Sequence, residues 1–452
     1  IGSNAFFGSA LEEVTFHDGL QSIGFRSFEG TKLTKLDVPD TVTAIHGYAF
    51  RNCTDLQTVK LSKRLTSLGS LSFDKCVSLT AIEIPKSLKE VSSTDGPFKG
   101  CGKLATVTFE EGTTQVVDRL FQACPGLTSI DIPASITSIG SNAFFGSALE
   151  EVTFHDGLQS IGFQSFEGTK LTKLDVPDTV TAIHGYAFRN CTDLQTVKLS
   201  KRLTSLGSLS FANCVSLVAI EIPKSLKEVS STESPFEGCG KLATVTFEEG
   251  TTQVVDRLFQ ACPGLTSIDI PASITSIGSN AFLGSALEEV TFHDGLQSIG
   301  FRSFEGTKLT KLDVPDTVTA IAGYAFRNCT DLQTVKLSNR LSGLGNLAFA
   351  FCSSLTSIEI PKTLTKVGGT DGPFKGCANL SDVTFEAGIT QIPAYLFRNC
   401  TGFTTITLPT GVTSIGSNAF ASSALEEITI PATVTTIGYG AFSGITYLTI
   451  KG

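Results

Sequence analysis

The sequence predicts a β-rich α/β solenoid of about twenty stacked coils, with a parallel sheet and short helical or 3-10 turns. A phenylalanine returns every 22 to 25 residues from Phe6 to Phe442, and these are the ladder phenylalanines. A fixed period of this length is typical of supersecondary units that stack because none can bury its own apolar face. The repeats fill the chain and leave no stretch for an independent catalytic domain.

The residue pattern of each coil predicts one strand followed by a compact turn. A clear copy, from Leu127 to Phe144, reads Leu-x-x-Ile-x-Ile-Pro-x-x-Ile-x-x-Ile-Gly-x-x-Ala-Phe. Segments such as 56–61 alternate apolar and polar residues and are rich in β-branched side chains, which favours a strand with one face inward. Strands that recur once per coil stack in parallel, about 4.8 Å apart. The Ile-Gly-x-x-Ala-Phe stretch is too short for a standing helix, so we expect a helical or 3-10 turn or a short second strand there.

A longer period of 138 residues, or six coils, sets Ile1 against Ile139, Ile277 and Ile415. The first two copies differ at only seven positions, for example Arg26 against Gln164 and Asp74 against Ala212, whereas the third has drifted more, especially after Leu341. The prediction is one continuous solenoid domain over 1–452. Its six-coil repeats are 1–138, 139–276 and 277–414, with a partial repeat at 415–452.

Composition argues against two kinds of partner. The net charge is −9 and no cluster of Lys or Arg occurs, so we expect no nucleic acid partner. The apolar runs fall far short of the roughly 20 residues that span a bilayer, so we expect no membrane insertion within this segment. The chain begins inside a repeat and contains no Met, from which we expect a segment of a longer protein.

The repeat resembles the BspA-like leucine-rich repeats, also called the Treponema pallidum type. The shared pattern is Ile-x-Ile-Pro-x-x-Val-x-x-Ile-Gly-x-x-Ala-Phe-x-x-Cys, and it recurs across essentially the entire chain. The resemblance implies a leucine-rich-repeat solenoid on surface or secreted proteins of anaerobic bacteria and some protists, several of which act as adhesins. It therefore implies an extracellular or cell-surface location. In the two short coils of each repeat, Ser9 or Thr31 stands at the Cys position.

The cysteines follow the same period. All twelve lie three residues after a ladder phenylalanine, as Cys53 does after Phe50. Because Ser9 and Thr31 occupy equivalent positions, we expect small, buried and inert thiols. Disulfides between adjacent coils are the minor alternative. A zinc site is disfavoured because no Cys-x₂-Cys pair occurs and ligands in a column do not form a tetrahedron, so we expect no metal and no cofactor.

Two patterns suggest catalysis, and each has a simpler explanation. His17, His155 and His293 lie in Phe-His-Asp-Gly turns. A His beside an Asp suggests acid–base chemistry, but an Asp-Gly turn with a solvated His neighbour accounts for the same pattern. No nucleophile recurs beside the motif, so we expect no catalytic residue. Alternation along a strand places the neighbours Glu12 and Glu13 on opposite faces, so we expect no convergent carboxylate pair.

The exposed strand residues supply the candidate binding surface. With the apolar residues facing inward, the intervening ones form an outer sheet face. On successive strands, Asp37, Lys60 and Glu83 lie side by side with alternating sign. The pattern fits a cross-strand charge ladder, and it also fits a polar docking face for a protein or glycan. The candidate residues are Lys35, Asp37, Lys60, Glu83, Lys173, Asp175, Lys198, Glu221, Lys311, Asp313, Lys336 and Glu359.

The fifth coil of each repeat is longer than the others, with insertions at 93–97, 231–235 and 369–373. Insertions in repeat proteins emerge as loops and often lie on a binding face. Drift without a function explains them equally well, and both interpretations stay open.

These features predict a non-enzymatic surface or secreted repeat protein that mediates protein–protein or cell adhesion. The partners would be protein or glycan ligands on host or neighbouring cells. Anchors for a tight interface are scarce, because the chain has no Trp and six Tyr. Repeated faces instead favour multivalent binding through weak contacts. A structural spacer that projects another domain from the cell surface is the first alternative, and an uncharacterised enzyme is the second.

Overall fold

The computed structural model of the chain describes residues 1–92, 94–230 and 233–451. Contacts between residues divide the chain into two compact units. The N-terminal unit comprises Ile1–Ser231 and Gly238–Gly240, and the C-terminal unit comprises Thr232–Glu237 and Lys241–Gly452. Each unit contains stacked coils around its own core, and the single continuous solenoid over 1–452 stays a prediction.

Two kinds of strand alternate along the chain, and the described residues contain 38 strands in all. The even-numbered ones, the outer strands, are β2 (Lys35–Asp37), β4 (Thr58–Lys60), β6 (Ala81–Ile84), β8 (Thr106–Phe109), β10 (Ser129–Ile132), β12 (Glu151–Phe154), β14 (Lys173–Asp175), β16 (Thr196–Lys198), β18 (Ala219–Ile222), β20 (Thr244–Phe247), β22 (Ser267–Ile270), β24 (Glu289–Phe292), β26 (Lys311–Asp313), β28 (Thr334–Lys336), β30 (Ser357–Ile360), β32 (Asp382–Phe385), β34 (Thr405–Thr407), β36 (Glu427–Thr429) and β38 (Thr449–Lys451).

The odd-numbered ones, the second strands, are β1 (Ser22–Ile23), β3 (Ala44–Ile45), β5 (Ser67–Gly69), β7 (Glu90–Ser92), β9 (Gln115–Val116), β11 (Ser138–Ile139), β13 (Ser160–Ile161), β15 (Ala182–Ile183), β17 (Ser205–Gly207), β19 (Glu228–Ser230), β21 (Gln253–Val254), β23 (Ser276–Ile277), β25 (Ser298–Ile299), β27 (Ala320–Ile321), β29 (Gly343–Leu344), β31 (Lys366–Val367), β33 (Gln391–Ile392), β35 (Ser414–Ile415) and β37 (Thr436–Ile437).

Both kinds of strand pair in parallel with the equivalent strands of neighbouring coils. β2 pairs with β4 so that Asp37 faces Lys60, and β26 pairs with β28 in the same way. Among the second strands, β13 pairs with β15 and aligns Ile161 with Ile183. The predicted fold class, a parallel-sheet repeat solenoid, is confirmed, and the predicted short second strand is present in the coils of both units.

The Ile-Gly-x-x-Ala-Phe stretch forms a third hydrogen-bonded row. The backbone N–H groups of Tyr48, Phe50 and Asn52 donate to carbonyls of the next coil over 2.8 to 2.9 Å, while the residues between them bond within their own coil. Tyr48 and Asn52 have φ values of 60° and 57°, and such left-handed residues interrupt any helical run. Turns of this kind therefore take the place of the predicted helical or 3-10 turns, and the described residues contain no helix.

The ladder phenylalanines stack within each unit. From Phe6 to Phe211 the ring centroids are 4.9 to 5.7 Å apart with interplanar angles of 7° to 18°. From Phe236 to Phe442 the separations are 5.0 to 6.0 Å. Burial of each interior ring contributes about 1.5–3 kcal/mol, and each contact between rings adds about 0.5–1.5 kcal/mol. The column is therefore the main apolar contact between coils.

The cysteines line the core beside this column, and all twelve are buried free thiols. The thiol of Cys53 donates to the carbonyl of Phe28 over 3.1 Å, and Cys352 bonds to Phe326 over 3.2 Å. In the short coil, the hydroxyl of Thr31 donates to the same Phe28 carbonyl over 3.0 Å. The predicted role of this position, to hold a small buried side chain, is confirmed.

Burial also keeps these thiols protonated. Desolvation raises the pKa of Cys124 and Cys400 to about 11, and that of Cys191 and Cys329 to about 12. Because only the thiolate is an effective nucleophile, these side chains are inert near neutral pH.

One glycine position shows how closely the coils approach. A Cβ on Gly345, just after β29, would overlap the backbone nitrogen of Gly323 in the preceding coil. Two residues earlier, a Cβ on Gly343 would meet nothing within 4 Å. The two glycines differ only in the space around them, since neither has a positive φ.

This difference predicts opposite effects of adding one methyl group. Gly345→Ala forces the coils apart and should lower the free energy of unfolding by about 1–3 kcal/mol, as overpacking does. Gly343→Ala should leave it unchanged or raise it by about 0.4–1 kcal/mol, because alanine restricts the unfolded chain. Urea unfolding followed by circular dichroism measures both. Equal effects of the two substitutions would contradict the close approach.

The buried thiols predict slow modification of the native protein. At pH 8 a thiol-reactive dye should label the folded chain far more slowly than the chain in guanidinium chloride, where all twelve thiols regain a pKa near 8.5. Since the folded pKa is raised, stability is complete below roughly pH 8.5 and falls as pH rises toward 11, because the unfolded chain loses thiol protons there and the folded chain keeps them. Rapid labelling of several native thiols would refute this account.

Candidate binding surface on the outer sheet

The twelve candidate residues all lie exposed on outer strands. Leu36 of β2 is only 1% exposed, while its neighbours Lys35 and Asp37 face solvent. Lys60 and Glu83 show the same alternation, as do the equivalents in the second and third repeats. The predicted outer face is therefore present, and its role in binding stays a prediction.

In each repeat, an ion pair joins two of the three side-by-side charges, the aspartate and the lysine. The Lys60 ammonium lies 3.3 Å from Asp37, and the equivalent pairs, Lys198–Asp175 and Lys336–Asp313, measure 3.1 and 3.3 Å. No ion pair joins Lys60 to Glu83 within the described residues. The ammonium group turns toward Asp37, its in-register neighbour on β2, whereas β4 and β6 align only Thr58 with Ala81.

A groove lined by equivalent residues lies on the outer sheet in each of the three long repeats. These outer grooves have volumes of about 530, 830 and 840 Å³ in the first, second and third repeat. Residues of successive coils line each one. Eight of the candidate residues are among them, namely Lys35, Asp37, Lys173, Asp175, Lys198, Lys311, Asp313 and Lys336.

Carboxylates outnumber lysines in these grooves. Those of the third outer groove are Glu288, Glu289, Asp294, Asp313 and Asp316, against Lys311 and Lys336. Both glutamates of each pair line a groove, and both are exposed to solvent. The reason is visible in the second repeat, where β12 begins at Glu151 and Glu150 precedes it, so strand alternation does not apply between them.

Two of the three Phe-His-Asp-Gly histidines contact the preceding coil. The Nε2 of His155 lies 2.7 Å from an Asp131 oxygen, and His293 meets Asp269 at the same distance. Both histidines are 47% exposed and their aspartates are 70% or more exposed. An open His–Asp pair of this kind ties one coil to the next across an exposed surface.

A second repeated surface lies on the turn row, and sequence reasoning missed it. Phe25 packs edge-on against Tyr48 with the ring centroids 5.4 Å apart, and the Arg26 guanidinium lies 5.5 Å from the Phe25 ring. Phe25 is 42% exposed. The contact recurs at Phe163–Tyr186 and Phe301–Tyr324. The sequence signal for this surface is an aromatic residue that directly follows the same glycine of the repeat in two successive coils.

Beneath this surface lie buried carboxylates. Glu29 is 7% exposed and lies 3.1 Å from Arg26 and 3.5 Å from Arg51. Arg51 also lies 3.1 Å from Asp74. In the second repeat Gln164 replaces Arg26 and donates to the equivalent glutamate over 2.7 Å. The first two repeats thus differ in how they satisfy one buried charge.

The insertions of the fifth coils are only partly described. Ser93, Ser231 and Thr232 lie outside the described residues. In the third repeat, the backbone N–H of Asp371 donates to Asn346 over 3.0 Å, and Arg398 donates to the Thr370 carbonyl over 2.7 Å. This loop is therefore tied to both neighbouring coils.

The described part of the chain holds no group of three or more His, Cys, Asp or Glu side chains placed to bind a metal ion. Likewise, no helix long and apolar enough to cross a membrane occurs among the described residues.

Comparison with solved structures finds similar leucine-rich repeat proteins. One from Bacteroides ovatus is 23% identical, with 84% of this chain and 80% of that chain covered and a TM-score of 0.39. One from Eubacterium ventriosum is 24% identical, with 72% and 84% covered and a TM-score of 0.41. A leucine-rich cell surface protein from Faecalibacterium prausnitzii is 25% identical, with 75% and 83% covered and a TM-score of 0.32.

A comparison with curated protein sequences finds no match. The model of the BspA type leucine-rich repeat region matches in six copies, over residues 1–104, 94–192, 114–233, 160–285, 252–371 and 321–449. These copies cover nearly the whole length, and the motif they describe is the one that builds the two strands and the ladder phenylalanine. The chain belongs to the BspA-type leucine-rich repeat family.

Proposed function

We propose that this protein is a non-enzymatic repeat protein that binds other proteins through its outer grooves and mediates adhesion at a cell surface or after secretion. The observation that carries the proposal is the recurrence of one groove in all three long repeats, lined each time by a pair of glutamates, a lysine and an aspartate at equivalent positions. The surface location rests on family membership. Glycans are a further class of ligand for the same polar lining.

The groove residues recur in the third repeat, where Glu289, Lys311 and Asp313 match Glu13, Lys35 and Asp37. Exposed residues outside the grooves recur there as well, as Lys32 does at Lys308. Duplication therefore supplies all three long repeats with the same groove residues.

Repetition also compensates for the weakness of each site. An open groove lined by exposed charges binds weakly, because water and salt screen its ion pairs. Linked copies that engage one partner surface raise the apparent affinity by a factor of roughly 10²–10⁴. Three equivalent grooves on one chain are therefore suited to adhesion to a dense ligand layer.

The spacer alternative has its own support. Lys60, Lys198 and Lys336 each contact an aspartate of the same protein, as a charge ladder that only stabilises the stack would require. Lys35, Lys173 and Lys311 also line the grooves, but they form no ion pair within the described residues. These three lysines separate the two proposals.

We expect the triple substitution Lys35→Ala, Lys173→Ala and Lys311→Ala to change adhesion strongly, because it removes the unpaired positive charge from each groove. Surface plasmon resonance of the intact chain over immobilised fibronectin, laminin, collagen and a glycan array identifies the captured ligand. Avidity should then shift stepwise from the single to the triple variant, upward for a ligand with a basic contact segment and downward for an acidic one, by about tenfold or more in the triple variant.

The matched control is Lys32→Ala, Lys170→Ala and Lys308→Ala, which removes the same charge from exposed positions outside the groove linings. It should bind like the native chain. Equal changes in both triple variants would show that only net charge matters. Failure of the intact chain to capture any of these ligands would favour the spacer.

If the cross-strand charge ladder stabilises the stack, removing one of its charges should have a small effect on stability. Lys60→Ala removes one exposed ion pair and should lower the free energy of unfolding by about 0.2–1 kcal/mol. Lys35→Ala, which removes no ion pair, should change it less. Urea unfolding at low and high salt checks this, since the Lys60 effect should shrink as salt screens the pair. An effect of Lys60→Ala no larger than that of Lys35→Ala would contradict a stabilising role of the charge ladder.

A further inference from the structure

We propose that each outer groove takes an extended protein segment carrying lysine or arginine side chains on one face. The inference rests on the proposed function and names the chemistry of its partner. Three features of the grooves carry it: their uncompensated negative charge, their apolar floor and their direction across the strands.

The charge of the grooves selects a cationic partner. In the third outer groove, Lys336 already lies 3.3 Å from Asp313. Glu288, Glu289 and Asp294 form no ion pair within the described residues. Asp316 accepts hydrogen bonds from the uncharged Asn339 over 2.9 and 2.8 Å, which leaves its charge in place. A segment that brings ammonium or guanidinium groups therefore gains attraction, whereas an acidic segment meets repulsion.

The second outer groove repeats this arrangement. Lys198 lies 3.1 Å from Asp175, and Asp178 accepts only the backbone N–H of Lys201 over 2.8 Å. Glu150 and Glu151 line the groove without an ion pair among the described residues. The same surplus of negative charge thus occurs in both units of the chain, since the third groove lies in the C-terminal unit.

The floor of the groove suits the stems of basic side chains. Val290, Phe292 and Pro315 line the third groove and are half-buried, so each exposes some apolar surface. Lysine and arginine carry three or four methylene groups that pack on such a surface while the charged end stays in water. A small metal cation or a bare ammonium ion would not use this floor.

The direction of the groove suits an extended chain. Its lining comes from three successive coils, at 288–294, 310–316 and residue 336. Three strands spaced about 4.8 Å apart span roughly 10 Å, which is the length of about three extended residues. Side chains at positions i and i+2 of such a segment lie on one face. Two basic residues at that spacing can therefore reach the carboxylates of successive coils.

The test uses the intact chain and short fluorescent peptides of alternating lysine and threonine, with glutamate–threonine and glutamine–threonine peptides as charge controls. Fluorescence anisotropy should show binding of the lysine peptide alone, weakening as salt rises. The triple substitution Glu13→Lys, Glu151→Lys and Glu289→Lys should weaken that binding by about tenfold or more, since it reverses one carboxylate in each groove. The milder variant Glu13→Gln, Glu151→Gln and Glu289→Gln should weaken it less and safeguards against a failure to fold.

The matched control is Asp55→Lys, Asp193→Lys and Asp331→Lys, which changes the net charge equally outside the groove linings and should leave binding within twofold of the native chain. Equal losses in both variants, or none in either, would overturn the proposal. If no peptide binds while the intact chain still captures a matrix protein, the basic-segment inference falls and the proposed function stands. If neither binds, both fall.

Discussion

The structure depends on one constraint, that every coil repeats the backbone path of its neighbour at the spacing of a parallel sheet. Two rows of strands and the row of turns each donate N–H groups to the next coil, and the ladder phenylalanines stack at nearly the same interval. A coil with a different path would break all of these contacts at once. This shared spacing is the reason that glycine is required at Gly345 and that a small side chain is required at each cysteine position.

The same constraint produces the candidate binding surface. Parallel, in-register strands bring equivalent side chains into columns, so Asp37 meets Lys60 and the residues of successive coils line one groove. Core positions are committed to packing, and the exposed positions between them are free to serve a partner. A solenoid of this kind therefore presents columns of exposed side chains on a sheet surface, and the duplication of six coils multiplies that surface without any new fold.

Much of this architecture was predictable, because apolar periodicity reports directly on burial. The strands, the phenylalanine column, the buried cysteines and the exposure of Lys35, Asp37 and their equivalents all follow from alternation and period. What sequence reasoning missed lies where local backbone rules stop applying. Glu150 and Glu151 share a groove because Glu150 precedes β12, so strand alternation does not relate them. Tyr48 lies against Phe25 because of contacts between coils, which a motif written for one coil does not describe.

The amino-acid sequence by itself determined the number of coils, the inward residues and the columns of exposed charge, because each depends on the order of polar and apolar residues along the chain. Only the tertiary structure decided which charges pair, where a groove opens and how the turn row is built. Those outcomes depend on the register between coils and on backbone conformations such as the left-handed Tyr48, which are stabilised by hydrogen bonds to residues about 22 positions away.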